Sequence, residues 1–100
     1  MSFITIPYRE LEKYRSRTGS ILIDVRSREE FQKNHIRGAK NIPCEQLEKY
    51  LKQLRKYSLI IFVCERGARS MQAARSCDAI GMKCVSVAGG MNAIVNTELD

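Results

Sequence analysis

Two short runs of this 100-residue chain are apolar at almost every position, which constrains the fold more than any other feature. They cover residues 20–25, interrupted by Asp24, and residues 59–63. A strand with one face in water alternates apolar and polar residues, whereas a strand covered on both faces can be apolar throughout. Both runs are rich in β-branched residues and too short for helices. We therefore predict buried strands in a sheet that is covered on both faces.

Amphipathic segments alternate with these runs. Ser27 and Glu30 are three residues apart, as in a capping box that begins a helix, and Gly81 is placed to end a later helix. Further strands are predicted at residues 3–6 and 84–87, and further helices at residues 7–14, around Leu47, Leu51 and Leu54, and along the apolar stripe Met71, Ala74, Cys77 and Ile80. The predicted fold class is α/β, a single domain over residues 1–100 with a central parallel sheet and helices on both faces.

The composition is that of a folded protein and excludes several classes of protein. Hydrophobic residues make up 44% of the chain, which is enough to bury a core. The longest apolar run, residues 59–64, is far too short to cross a membrane, and the first residues form no secretory apolar segment. We therefore expect a cytoplasmic protein without a membrane partner, in which the cysteines stay reduced.

The net charge of +6 suits an anionic partner. The basic residues are not interleaved with aromatic ones as a stacking platform for single-stranded nucleic acid requires, so we expect no nucleic-acid partner. The four cysteines form no C-x-x-C pair and the chain has one histidine, so we expect no metal site.

The segment after the second apolar run holds the residues most suited to chemistry. Its sequence is Cys64-Glu65-Arg66-Gly67-Ala68-Arg69-Ser70, between a strand and a helix. Parallel sheets bind ligands beyond the carboxyl ends of their strands, where helix N-termini offer N–H groups. Gly67 permits a positive φ, and Ser70 is a candidate N-cap. The amides, the helix dipole and the two arginines favour a thiolate at Cys64, which makes it a candidate nucleophile; a buried structural cysteine is the alternative.

Three stretches of the sequence resemble the rhodanese-type sulfurtransferases. Residues 64–69 resemble the six-residue active-site loop of that family, Cys-x-x-Gly-x-Arg. Residues 23–26, 29–31 and 35–43 resemble its N-terminal signature, and residues 87–91 resemble its C-terminal signature. The three stretches follow the order and spacing of the family over nearly the whole chain.

The resemblance implies a parallel sheet flanked by helices and a Cys64 that carries sulfur as a persulfide. Members of the family take sulfane sulfur from a small donor, thiosulfate or a persulfide, and pass it to a thiol or to cyanide. A protein can also serve as donor or acceptor. The resemblance implies no metal or organic cofactor, and it places substrate binding in the loop residues Glu65, Arg66, Gly67, Ala68, Arg69 and Ser70.

Three positions depart from the family pattern. Glu65 stands beside Cys64, where many active members carry a basic or neutral residue. Asn34 stands where glycine is common, and Ile94 where a tryptophan is common. Because a carboxylate repels an incoming anion, Glu65 leaves activity with thiosulfate open.

Other polar candidates are expected to support the pocket. Asp24 and Arg26 lie at the end of the first apolar run, and we expect a charge pair that fixes the loops. His35 belongs by resemblance to a structural loop motif, with a general-base role as the alternative.

The remaining cysteines differ in their expected surroundings. Cys77 lies on the apolar helix stripe and Cys84 inside a predicted strand, so both are expected in the core. Cys44 follows Pro43 at a predicted helix start and should be partly exposed. A role for Cys44 as a resolving thiol that releases sulfur from Cys64 stays open.

Two further classes of function stay open. The first is a persulfide carrier or protein-docking module without turnover, for which a predicted exposed basic helix over residues 45–56 offers a surface. The second is a cysteine phosphatase or arsenate reductase, whose signature is Cys-x5-Arg. Here the arginine comes one residue early, at Arg69, and Ser70 holds the sixth position after Cys64.

Overall fold

A computed structural model of the chain describes residues 3–89. The strands are β1 (Ile4–Ile6), β2 (Ser20–Asp24), β3 (Lys40–Asn41), β4 (Leu59–Val63) and β5 (Cys84–Val87). The α-helices are α1 (Leu11–Arg15), α2 (Arg28–Lys33), α3 (Leu51–Leu54) and α4 (Ala68–Ala79), and 3₁₀ segments cover Tyr8–Glu10 and Cys44–Tyr50. Gly90, Met91 and Ile94, which entered the predictions above, lie outside the described residues.

The strands form one parallel sheet in the order β1-β5-β4-β2-β3, with β4 in the centre. Residues 20–24 of β2 are aligned with residues 59–63 of β4, so that Asp24 lies beside Val63 at the carboxyl edge. The predicted α/β fold class and the central position of residues 59–63 are confirmed.

Helices cover both faces of the sheet, as predicted. On one face, α3 and α4 pack through Leu54 and Cys77 against Phe62. On the other face, α1 and α2 pack through Leu11 and Phe31 in a cluster that includes β4 and β5. All five residues of β4 are therefore buried, which explains why that run is apolar throughout.

The helix boundaries that place the site follow from local chemistry. The capping box that begins α2 is present: the Ser27 side chain accepts from the Glu30 N–H, and the Glu30 side chain accepts from the Ser27 N–H. Gly81 follows the end of α4 with a φ of +82°, as expected for a glycine that ends a helix.

The prediction that Ser70 is an N-cap is wrong. Gly67 precedes α4 with a φ of +95°, so the helix begins at Ala68 and Ser70 lies in its first turn. The predicted helix stripe is also partly wrong, because Met71 is half-buried and Ile80 is exposed. The buried face of α4 consists mostly of small residues, which let the helix approach the sheet closely: Ser70, Ala73, Ala74 and Cys77.

Two further segments differ from the predictions. The basic segment 45–56 is not a single exposed helix, because it starts as the 3₁₀ segment Cys44–Tyr50, continues as α3, and buries Leu47 and Leu54. Short segments at helix starts often tighten in this way. Strand β3 lies in a segment for which a loop is predicted. Its two residues are polar, so the apolar pattern that indicates a strand is missing there. No helix in residues 3–89 has the length and apolar character needed to cross a membrane.

Candidate active site

Cys64 lies directly after β4, at the carboxyl edge of the sheet, where the chain turns into α4. Its residue surface is 1% exposed, and it forms the base of an open depression of about 310 Å³. The residues that line this depression are Cys64, Glu65, Arg66, Ala68 and Arg69. The predicted loop therefore surrounds one almost fully buried thiol, over which the depression opens to solvent.

Two backbone amides converge on the sulfur of Cys64. The Gly67 N–H donates to Cys64 Sγ at 3.0 Å, and the Ser70 N–H donates to it at 3.2 Å. Both amides belong to the N-terminal end of α4, where the helix dipole adds positive potential. This arrangement stabilises negative charge on a sulfur atom, as an oxyanion hole does for oxygen.

The Gly67 and Ser70 amides form a cradle for the sulfur of Cys64, and the conformation of Gly67 makes this cradle possible. Its φ of +95° is open to glycine and unfavourable for other L-residues. A Cβ atom at this position would also lie 3.4 Å from the Gly89 nitrogen and 3.9 Å from the Val87 oxygen. The turn therefore packs against the end of β5, and the positive φ is the reason that this position favours glycine.

The buried hydroxyls of Ser70 and Ser86 form hydrogen bonds that hold the loop around Cys64 against strand β5. Ser70 Oγ donates to the Gly67 carbonyl oxygen at 3.0 Å, and Ser70 Oγ lies 2.8 Å from Ser86 Oγ. Because a carbonyl can only accept, the Ser70 proton is used on Gly67, and Ser86 supplies the proton of the second bond. Both serines are fully buried. Strand β5 thus holds the loop in place through Ser86.

Asp24 and Arg26 form the expected charge pair. Arg26 Nε lies 3.1 Å from each Asp24 carboxylate oxygen, and Arg26 Nη2 donates to Asp24 at 2.9 Å. Arg26 Nη2 also donates to the carbonyl of Asn34. Asn41 donates to the carbonyls of Asp24 and Arg26 at 3.0 Å each, which fixes the turn after β2. The pair is buried, so both charges depend on each other for stability.

Arg69 is held by a carboxylate of α2. Its Nη1 and Nη2 lie 3.2 and 3.3 Å from the two oxygens of Glu30. The Arg69 guanidinium, together with the hydrogen bond from Ser27, lowers the pKa of Glu30 from its usual 4.5 to about 2. One carboxylate therefore both caps α2 and anchors the loop arginine.

The remaining charged residues of the loop face outward. Glu65 Oε1 lies 3.7 Å from Arg26 Nη1, and its side chain is 41% exposed. Arg66 is exposed and forms no ion pair with any of residues 3–89. Ala68 is exposed at the rim of the depression.

His35 packs beside α2. Its ring stacks on Phe31 with centroids 3.9 Å apart, and its Nδ1 lies 2.9 Å from the Phe31 carbonyl oxygen. His35 does not line the depression that contains Cys64. This packing agrees with the structural role that the resemblance implies.

Cys44 lies near the site but on the far side of a peptide group. Its Sγ donates to the Arg69 carbonyl oxygen at 3.7 Å, whereas the N–H of the same peptide, from Ser70, points at Cys64. The Arg69–Ser70 peptide group therefore lies between the two sulfur atoms. Burial and the charge of Glu45 raise the pKa of Cys44, which favours its protonated form.

Cys77 and Cys84 are buried in the core, as predicted. Burial raises the pKa of Cys77 to about 12 and the pKa of Cys84 to about 11. Neither thiol is suited to act as a thiolate at neutral pH. Within residues 3–89, no three His, Cys, Asp or Glu side chains form a group that could hold a metal ion.

Two residues that contribute to this site, Ser86 and Glu30, are absent from the predicted site residues. Ser86 interrupts the apolar strand β5, and a fully buried hydroxyl in such a strand is a signal that it has a hydrogen-bond partner. Glu30 was assigned to the helix cap, but its pairing with Arg69 joins residues 39 positions apart, which no local pattern reveals.

Comparison with known proteins agrees with this geometry. The family model described as the rhodanese-like domain matches residues 8–97. The chain is 35% identical over 92 residues to "Putative sulfur carrier protein YrkF" of Bacillus subtilis, covering 87% of this chain and 50% of that protein. It is 38% identical over 72 residues to "Putative sulfurtransferase YtwF" of the same organism, covering 72% of this chain and 70% of that protein.

Solved structures give the same result. The crystal structure of a rhodanese-like domain protein from Staphylococcus aureus matches with a TM-score of 0.82 and 30% identity, covering 100% of this chain and 97% of that one. A Staphylococcus saprophyticus protein matches with a TM-score of 0.81 and 27% identity, covering 100% and 99%. The chain spans half the length of YrkF, so what the whole of that protein does is a separate question.

Proposed function

The chain belongs to the rhodanese-like domain family, and from this premise we propose that it transfers sulfane sulfur through a persulfide on Cys64. The observation that carries the proposal is the pair of amides, from Gly67 and Ser70, that point at Cys64 Sγ. Fixed donors aimed at one sulfur favour its anionic forms, both the attacking thiolate and the product persulfide.

Loading of the site is a displacement at the outer sulfur of the donor. The Cys64 thiolate attacks that sulfur, a new S–S bond forms, and the S–S bond of the donor breaks. With thiosulfate the electron pair leaves on sulfite; with a persulfide R–S–SH it leaves on the thiolate R–S⁻, and the transferred sulfur keeps the proton. Sulfur moves without external oxidant or reductant, and the step needs no metal or organic cofactor.

Unloading is the same kind of displacement at the same sulfur, with Cys64 now the leaving group and the proton of the persulfide passing to the product or to solvent. A thiophilic acceptor, cyanide or a thiolate, attacks the outer sulfur of the Cys64 persulfide, and the Cys64 thiolate leaves. The leaving thiolate returns to the Gly67 and Ser70 amides, so one cradle serves both half-reactions. Arg66 and Arg69 lie at the rim, where they can contact an anionic donor or acceptor.

A persulfide carrier is the second candidate, and the name of YrkF favours it. A carrier would load Cys64 from a protein donor and release the sulfur to a protein acceptor, with slow turnover on thiosulfate. The shallow, open depression suits either function, because it leaves Cys64 accessible to a partner as well as to a small molecule.

The proposed chemistry needs Cys64 as a free thiol between cycles. A reducing compartment keeps such a thiol free, so a cytoplasmic location forms part of the proposal. The four cysteines of the chain are unpaired in the structure.

Steady-state sulfur transfer to cyanide tests the proposal, with thiosulfate and a low-molecular-weight persulfide as alternative donors. Cys64→Ser should abolish transfer from both donors, because serine offers no thiolate. Cys44→Ser is the matched control and should retain transfer. Transfer that survives in Cys64→Ser would refute the assignment. Stoichiometric loading without turnover in the wild type would instead favour the carrier.

A further inference from the structure

Two arginines at this edge of the sheet, Arg69 and Arg26, are already paired with carboxylates, whereas Arg66 forms no ion pair with any of residues 3–89. Arg69 is bound to Glu30, with distances of 3.2 and 3.3 Å. Arg26 is bound to Asp24, at 2.9–3.1 Å, and faces Glu65 at 3.7 Å. A dianionic donor therefore meets one lining arginine, Arg66, whose charge no carboxylate of residues 3–89 compensates, and one, Arg69, that Glu30 already holds.

We propose that Glu65 determines the donor class of this site, and that it favours a thiol persulfide over thiosulfate. The inference rests on the proposed transfer through Cys64 and specifies its donor. The charged residues that line the depression are Glu65, Arg66 and Arg69, and Arg69 is paired with Glu30, so Glu65 is the lining carboxylate that an incoming anion meets. Thiosulfate carries two negative charges, whereas a thiol persulfide carries at most one on its sulfur atoms.

Glu65 forms an ion pair with Arg26, a cation that is itself held in place. Arg26 is 3% exposed, and its Nε and Nη2 are used on Asp24 and on the Asn34 carbonyl. Its Nη1 is the arm that faces Glu65. The Glu65 carboxylate therefore lies at the mouth of the depression, one residue from the nucleophile, partly exposed and next to a cation whose position is fixed.

The carboxylate acts on thiosulfate in two ways. It offsets the positive charge of Arg26, which lies 3.7 Å away and would otherwise attract an anion. It also repels the dianion at the rim, where the interaction is weakened by water and salt. A persulfide R–S–SH without further charge experiences both effects much less, since it reacts as the neutral form and its anion carries one charge instead of two.

The test compares Glu65→Gln with Glu12→Gln. Both variants remove one negative charge, but Glu12 is on α1 and pairs with Arg15. At low salt, Glu65→Gln should raise kcat/KM for thiosulfate by roughly three- to tenfold, mainly through KM, and the gain should fall toward unity in high salt. With the persulfide of 2-mercaptoethanol, kcat/KM should stay within about twofold. Glu12→Gln should leave kcat/KM unchanged for both donors.

Binding separates this inference from the proposed function. In the Cys64→Ser background, which cannot react, Glu65→Gln should tighten thiosulfate binding by a similar three- to tenfold factor at low salt. Unchanged thiosulfate affinity and unchanged kcat/KM in Glu65→Gln would overturn the role of Glu65 even if Cys64 carries sulfur. An equal gain for both donors would also overturn it, since the effect would then not depend on donor charge.

Discussion

Replacement of Gly67 by alanine should damage the sulfur cradle more than it damages the fold. Gly67 has a φ of +95°, and its N–H donates to Cys64 Sγ at 3.0 Å. Alanine in a left-handed conformation costs roughly 1–2 kcal/mol. Removing a glycine from the unfolded chain recovers about 0.4–1 kcal/mol of that cost. The added Cβ would lie 3.4 Å from the Gly89 nitrogen, an ordinary van der Waals distance, so the cost comes from the backbone conformation.

The net loss of stability is therefore about 0.5–1.5 kcal/mol, which corresponds to a fall in Tm of roughly 3–10 °C for a chain of this length. The loss in the rate of sulfur transfer should be larger than this loss of stability alone would cause. Removing one fixed donor to a developing anion costs about 100- to 1,000-fold in kcat, and a displaced donor should cost at least about tenfold. Thermal unfolding and the rate of Cys64 loading measure the two effects separately.

Gly81 provides a matched control for this prediction. It flanks the other end of α4 with a φ of +82°, and nothing lies within 4 Å of a Cβ built there. Gly81→Ala should lose a similar amount of stability and keep normal sulfur transfer. If Gly67→Ala transfers sulfur as fast as Gly81→Ala, the Gly67 amide does not contribute to the reaction.

Three further predictions concern the charges and thiols. Arg69→Ala should lower kcat/KM for thiosulfate only about two- to fivefold in the cyanide assay, since Glu30 holds the Arg69 guanidinium and its remaining effect on the donor is a charge effect at a partly exposed site. Glu30→Gln keeps the helix cap but loses the ion pair with Arg69, so urea unfolding at neutral pH should show a free energy of unfolding about 0.5–1 kcal/mol below that of the wild type. The folded-state pKa of Glu30 is about 2, below its usual 4.5. The difference between the two proteins should therefore vanish as the pH falls from about 4.5 to 2. Alkylation of the native protein at pH 8 should spare Cys77 and Cys84, whose pKa values burial raises to about 12 and 11, and peptide mapping that finds either one labelled as fast as Cys64 would contradict this.

The parallel sheet could be predicted because its signals are local. The central run Leu59–Val63 is apolar on both faces, and the capping box at Ser27 and Glu30 is complete within four residues. The cradle at Cys64 could be predicted because a strand, a glycine and a helix start are adjacent in the sequence.

The parts that could not be predicted depend on contacts between distant segments. Ser86 and Ser70 are 16 residues apart, and only the close packing of β5 under the loop brings their hydroxyls together. Arg69 looked available to the donor, but α2 places Glu30 against it. The misplaced N-cap at Ser70 has a similar origin, because residue type favours serine while the conformation of Gly67 begins the helix earlier.

The central claim is that one thiol carries the sulfur, and mass spectrometry of the intact protein tests it most directly. After incubation with a low-molecular-weight persulfide and removal of the donor, the wild-type mass should increase by one sulfur atom, and peptide mapping should place it on Cys64. Cyanide should then restore the original mass and release one thiocyanate per chain. A Cys64→Ser variant that still gains a sulfur atom which cyanide removes would contradict the account.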